Sequence, residues 1–77
     1  MHMQFTATVK KDDETGLYVA WCPELDIASQ GKSVEDALNN LKEALELYLE
    51  DEDAMVSDEN VFISVIEVPV KRAKIEQ

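Results

Sequence analysis

One stretch of the sequence, residues 34–49, carries apolar side chains at the spacing of a single helical face. These apolar residues are Val34, Ala37, Leu38, Leu41, Ala44, Leu45, Tyr48 and Leu49. Recurrence at intervals of three and four residues is typical of an amphipathic α-helix that packs one side against a core. The chain is therefore predicted to contain one helix of about four turns, solvated on its outer side and packed on its inner side.

Both ends of this helix are marked in the sequence. Ser33 is a good N-cap residue, Asp36 three residues later approximates a capping box, and Gly31 relaxes the backbone before the cap. At the other end, the carboxylates from Glu50 to Asp53 lie where the helix macrodipole is negative, which opposes continuation of the helix. The helix is predicted to begin after Ser33 and to fray from residue 50.

Four segments have the composition of β-strands. They are residues 3–10, 17–22, 27–30 and 61–68. The polar, glycine-containing loop at 11–16 predicts antiparallel pairing of the first two, Pro23 ends the second, and Pro69 ends the last. Because parallel strands need a crossover connection, the helix places the last strand parallel to the first. The predicted fold is α+β: a βββαβ domain with a four-stranded mixed sheet in the order 3-2-1-4.

A single helix covers only one face of this sheet. The second strand is nevertheless apolar on both sides, and strands of that kind are seldom left in water. A chain of 77 residues also has a thin stability margin, which association with a second chain would improve. We therefore expect a homodimer or a higher homo-oligomer, formed through the uncovered face or a strand edge.

The formal net charge of −10, from 17 acidic and 7 basic residues, separates two classes of partner. It repels a phosphate backbone, which disfavours direct nucleic acid binding, and it attracts a basic protein. The sequence contains no run of about 18 apolar residues that could span a membrane, and no signal-peptide pattern. We expect a cytoplasmic domain at residues 1–70 without membrane contact, followed by a short basic tail at residues 71–77.

The positions of the carboxylates do not favour a metal-dependent active site. Such a site needs carboxylates that converge from strand centres, whereas here acids lie in the loop at 12–14 and flank the turn at 24–26. His2 and the single cysteine, Cys22, offer neither a nucleophile–base pair nor a zinc cluster. We expect no catalytic residue, no metal and no cofactor, and we interpret these acids as solvated surface groups.

Several motifs follow one another in a fixed order along the chain. The run Gly-Leu-Tyr-Val-Ala-Trp-Cys-Pro-Glu-Leu at 16–25 precedes Ser-Gln-Gly-Lys-Ser at 29–33 and Glu-Asp-Ala-Leu at 35–38. This succession of strand end, turn and helix stripe resembles the HicB-like antitoxin family of type II toxin–antitoxin systems, over most of residues 3–68. The residues that carry this structural motif are Pro23, Gly31, Ser33 and Ala37.

The resemblance implies a partial ribonuclease-H-like fold and a non-catalytic antitoxin. Family members inhibit a HicA-like toxin, a small protein that cleaves mRNA, by covering it. Many of them also carry a C-terminal helix-turn-helix or ribbon-helix-helix domain that binds DNA. Here only eight residues follow Pro69, so we do not expect this chain to repress transcription by itself.

Candidate contacts to such a partner are aromatic and acidic residues. They are Tyr18, Trp21, Glu50, Asp51, Glu52 and Asp53. Tryptophan is favoured in cores and at interfaces alike, and the strand neighbours of Trp21 leave the choice open, with the core slightly favoured. The acidic run is most simply a solvated helix end. Two alternative functions stay open: a metal-dependent nuclease that uses the loop and turn acids, and a stand-alone structural or ligand-binding homo-oligomer without a toxin.

Overall fold

The structure, a computed structural model, describes residues 2–51, 53–56 and 61–72. Its elements, in chain order, are β1 (Thr8–Lys11), β2 (Tyr18–Cys22), β3 (Ile27–Gly31) and α1 (Val34–Leu49). β1 pairs antiparallel with β2, and β2 pairs antiparallel with β3, so that β2 is central. The described part of the chain is thus an α+β fold with a three-stranded antiparallel sheet and one helix.

The turns of both hairpins follow from their sequences. In the first hairpin, the Asp12 N–H donates to the Leu17 carbonyl oxygen at 2.7 Å, and Gly16 adopts a φ of 74°. This left-handed conformation is easy for glycine because it has no Cβ. In the second hairpin, Pro23 directly follows β2 and cannot donate to the ladder, and Asp26 adopts a φ of 52° before β3. The prediction that Pro23 ends the second strand is confirmed.

The core lies between α1 and one face of the sheet, nearer to β3 and β2 than to β1. Within the described ranges, the buried side chains are Ala20, Cys22, Ala37 and Leu41. Six partly buried residues pack around them: Phe5, Val9, Tyr18, Leu25, Ile27 and Leu45. Small residues in both layers, such as Ala20 and Ala37, let the helix approach the sheet closely. The predicted packing role of Ala37 is confirmed.

The start of α1 depends on Gly31, the last residue of β3, and on Ser33, which directly precedes α1. Ser33 is the N-cap, as predicted: its Oγ accepts the Asp36 N–H at 3.0 Å. Gly31, in contrast, has no left-handed φ. A Cβ at this position would lie 2.5 Å from the Ala37 nitrogen. Gly31 therefore makes room for the first turn of α1, and the prediction that it relaxes the backbone is wrong.

Four strand boundaries differ from the prediction, including the end of β1, which lies at Lys11 rather than residue 10. β1 begins at Thr8 rather than residue 3, because the Thr6 N–H donates to the Glu24 carboxylate and not to a neighbouring strand. β2 begins one residue later than predicted, and β3 extends one residue further, to Gly31. α1 ends at Leu49, before the acidic run, as predicted. Residues 61–68 form no strand in the structure, so the described sheet lacks the predicted fourth strand.

Candidate interaction surface

The sheet face that points away from α1 is the candidate interaction surface. In β2, the buried residues Ala20 and Cys22 point toward α1, so that Val19 and Trp21 point the opposite way. Cross-strand neighbours complete a surface that we call the open face: Thr8, Lys10, Val19, Trp21, Ala28 and Gln30. The part of the chain that the structure describes places no helix over this face.

Trp21 is the largest side chain of the open face. It is 40% exposed, so the interpretation that favoured a core position is wrong. Its Nε1–H donates to Asp26 Oδ1 at 2.9 Å, which fixes the indole ring on the surface. A large apolar ring that is oriented by one hydrogen bond and still accessible is typical of an anchor in a protein–protein interface.

A concavity of about 470 Å³ lies at the β1–β2 side of the open face. Its lining consists of Thr8, Lys10, Lys11, Asp12, Asp13, Glu14, Val19 and Trp21. Asp12 is used by the turn itself, since its carboxylate accepts the Glu14 N–H at 3.2 Å and the Thr15 hydroxyl at 2.9 Å. The exposed carboxylates of Asp13 and Glu14 therefore form an acidic rim at the hairpin end of the concavity, and Trp21, which pairs with Thr8, lines its other part. Lys10 and Lys11 add positive charge to the same lining.

The other predicted contacts lie apart from the open face. Tyr18 is on the helix side of the sheet, half-buried against the core, with Lys11 Nζ 5.9 Å from the centre of its ring. The exposed residues Glu50, Asp51 and Asp53 follow α1, while Glu52 lies outside the described residues. The structure thus brings Trp21 together with the acidic loop at 12–14, and it does not join Tyr18 or the acidic run to that site.

Glu24 connects the segment before β1 to the β2–β3 turn. The Thr6 N–H donates to both of its carboxylate oxygens, at 2.8 and 3.1 Å, and the Cys22 thiol donates to one at 3.6 Å. Burial by itself raises the pKa of Glu24, but the N–H groups of Thr6 and of Glu24 itself stabilise the charged form, and the pKa falls below its ordinary value. Glu24 is thus a structural acid, and Asp26 is likewise engaged, by Trp21.

The remaining candidate chemistry is sparse in the described residues. Within them, no group of three or more His, Cys, Asp or Glu side chains is arranged to hold a metal ion. Cys22 is buried, and this burial is the main cause that raises the pKa of its thiol, as expected of a cysteine that packs as a small apolar residue. In the described residues, the helix α1 is not long and apolar enough to cross a membrane.

A second apolar surface was not singled out by sequence reasoning. It is a groove of about 480 Å³ between the N-terminal residues and α1, which we call the N-terminal groove. Its lining consists of His2, Met3, Phe5, Lys42, Leu45, Glu46 and Leu49. The apolar face of α1 could have indicated this groove, because it has more apolar residues than the small core covers. Leu38 and Leu49 of that face are still about two-fifths exposed.

Residues 61–70, which we call the C-terminal segment, expose most of their apolar side chains. Phe62 is 90% exposed, and Val65 is 95% exposed. Lys71 and Arg72 of the predicted basic tail follow and are also exposed, whereas the rest of that tail lies outside the described residues. A run of exposed Phe, Ile and Val side chains is unusual for a folded protein and indicates a surface that another element covers.

Comparison with known proteins identifies relatives along most of the chain, although no family model matches it. A UPF0150 protein of Helicobacter pylori is 48% identical over 71 residues, which cover 86% of this chain and 96% of that protein. A UPF0150 protein of Archaeoglobus fulgidus is 36% identical over 67 residues, with the same coverages. A UPF0150 protein of Thermotoga maritima is 39% identical over 66 residues, which cover 83% of this chain and 88% of that protein. The chain belongs to the UPF0150 family.

Proposed function

We propose that this chain is a non-catalytic binding module of the antitoxin type, which sequesters a small basic HicA-like toxin that cleaves mRNA. The observation that carries the proposal is the open face, where Trp21 is oriented by Asp26 but remains accessible, in the same concavity as the acidic rim of Asp13 and Glu14. The HicB-like motifs at residues 16–38 support the class of partner.

Charge supports the basic character of the partner. A toxin that grips RNA is positive over its RNA-binding surface, and a body with a net charge of −10 attracts that surface as the RNA backbone does. Asp13 and Glu14 would guide the encounter, while burial of Trp21 would hold the complex together. Inhibition then follows because the bound module occupies the surface that the RNA needs.

The proposal includes a fourth strand. The C-terminal segment is rich in β-branched residues, and one edge of β1 pairs with no other strand in the described sheet. Residues 61–68 alongside β1 would give the order 3-2-1-4 and the partial ribonuclease-H-like topology. We propose that the complete module is a homodimer or higher homo-oligomer in the cytoplasm, without a cofactor, membrane contact or direct nucleic acid binding.

The test uses the short basic protein that we expect a neighbouring gene to encode. Association and dissociation rates are measured by surface plasmon resonance between about 0.05 and 0.5 M salt. Salt should slow association far more than it speeds dissociation, because screening acts mainly on the encounter. Asp13→Asn with Glu14→Gln should lower the association rate. Trp21→Ala should raise the dissociation rate, whereas Leu47→Ala, an exposed apolar control on α1, should leave it unchanged.

Association rates of two sets of variants, one neutralised at residues 50–53 and one at Asp13 and Glu14, identify the acidic patch that faces the partner. Neutralising residues 50–53 together should lower the association rate less than neutralising the loop acids, if the open face is the binding site. An association rate that is independent of salt would contradict the electrostatic part of the proposal.

Two further results would overturn the function itself. RNA cleavage by the purified chain with Mg²⁺ or Mn²⁺ would favour a metal-dependent nuclease. A lone gene, without a basic neighbour, would favour a stand-alone oligomer.

A further inference from the structure

We infer that the C-terminal segment is exchanged between two copies of this chain: residues 61–68 of one copy add to the free edge of β1 in the other and cover its N-terminal groove. The inference rests on the fourth strand proposed above and names where that strand comes from. It would make two described features, an uncovered apolar segment and an uncovered apolar groove, the two halves of one interface.

The segment has the composition of a strand that is buried on both sides. Five of its first six residues are Val, Phe or Ile, and Ser64 is the exception. Pro69 follows and cannot donate to a ladder, which limits the pairing stretch to residues 61–68. Apart from half-buried Val61, these residues are exposed in the structure, so their own sheet and helix do not cover them.

The groove matches this segment in position and in apolar character, since Met3, Phe5, Leu45 and Leu49 line it. It lies where the N-terminal residues meet the second half of α1, and the adjoining β1 is an edge strand. The groove follows α1 from Lys42 to Leu49, about 12 Å, so about four residues of an extended strand would cover it. Lys42 and Glu46 contribute one charge of each sign to the groove, and the segment carries one charged side chain, that of Glu67.

The linker before the segment favours exchange over return to the same chain. Residues 50–60 contain six carboxylates and no basic residue: Glu50, Asp51, Glu52, Asp53, Asp58 and Glu59. Repulsion between these carboxylates and the acidic body of the same chain would oppose return of the segment to that body. Reciprocal exchange is a low-cost route to a two-fold dimer, and it closes the free edge of β1 in both copies.

The first measurement is light scattering on the full chain at micromolar concentration, where we expect twice the mass of one chain. Val65→Ser with Ile66→Ser removes one apolar side chain from each side of the strand and should weaken the dimer about a hundredfold or more. Leu47→Ser with Met55→Ser is the matched control, since both residues are exposed and lie outside segment and groove. The control pair should dimerise like the unchanged chain, and equal weakening by both pairs would overturn the inference.

The second measurement separates exchange from pairing within one chain. Isotope-labelled and unlabelled chains are unfolded together and refolded, and filtered NOE spectra then report only contacts between copies. Contacts between copies that join Val65 or Ile66 to Phe5 or Leu49 would support exchange. The same contacts within one copy would overturn exchange and keep the fourth strand. If neither spectrum shows contacts of the segment with the groove, the exchange and the fourth strand are both wrong.

Discussion

Gly31→Ala is the substitution that tests the packing of α1 on the sheet most directly. An added Cβ would lie 2.5 Å from the Ala37 nitrogen and 2.7 Å from the Asp36 carbonyl carbon. Ordinary contact begins near 3.4 Å, so the first turn of α1 has to retreat by the difference, about 0.9 Å. Both neighbouring atoms belong to the backbone, so no side-chain rotation can relieve the overlap.

A retreat of this size has a cost that can be estimated. It would lengthen the hydrogen bond from Asn40 Nδ2 to the Gln30 carbonyl oxygen, now 2.8 Å, beyond bonding distance. Overpacking costs about 1–3 kcal/mol, and the lost hydrogen bond adds about 1 kcal/mol. The reduced entropy of the unfolded chain offsets about 0.4–1 kcal/mol. We expect Gly31→Ala to lower the free energy of unfolding by about 2 kcal/mol, a large share for a small domain.

Urea unfolding followed by far-ultraviolet circular dichroism measures this change. Protein concentration must be kept constant, because the proposed self-association would make the apparent stability depend on it. Gly16→Ala is the control at the other glycine: its added Cβ meets nothing within 4 Å, and its cost of about 1–2 kcal/mol arises only from the φ of 74°. A Gly31→Ala protein as stable as the unchanged chain would refute the close approach of β3 and α1.

Two other substitutions test local contacts by the same unfolding assay. Ser33→Ala removes the oxygen that accepts the Asp36 N–H and should lower the free energy of unfolding by about 1 kcal/mol; an unchanged urea midpoint would reject the cap. Glu24 has a lowered pKa in the folded state, so its carboxylate stabilises the fold above its ordinary pKa of 4.5, and this contribution is lost as pH falls through the folded value. The stability advantage over Glu24→Gln should therefore shrink between pH 6 and pH 3, and a constant difference would contradict the argument.

Features with a local cause could be predicted from the sequence. The spacing of apolar residues gave the extent of α1, because one periodic face is enough to specify an amphipathic helix. Its start followed from Ser33, whose side chain bonds only three residues ahead. The corner at Pro23 followed from the missing N–H of proline. None of these predictions required knowledge of which segments meet in space.

Features that depend on distant contacts were mispredicted. β1 begins late because the partner of the Thr6 N–H is Glu24, 18 residues away, and no local pattern announces such a bond. The position of Trp21 depends on which side of β2 the helix covers, and a strand that is apolar on both sides leaves this open. The groove was missed because it needs the positions of the N-terminal residues and α1 together. The C-terminal segment was predicted as a strand from composition alone, and the structure describes no strand there.

The small core and the large charge of this chain explain why both proposed associations belong together. Of the four buried residues in the described ranges, only Leu41 is large, whereas fourteen large apolar side chains there are exposed. A net charge of −10 opposes pairing of two copies, and apolar contacts such as those of the C-terminal segment must outweigh that repulsion. Once formed, however, the pair carries twice the negative charge of one chain. Dimerisation through an apolar segment would therefore strengthen the field that attracts a basic partner, and it would leave the open face of each copy accessible.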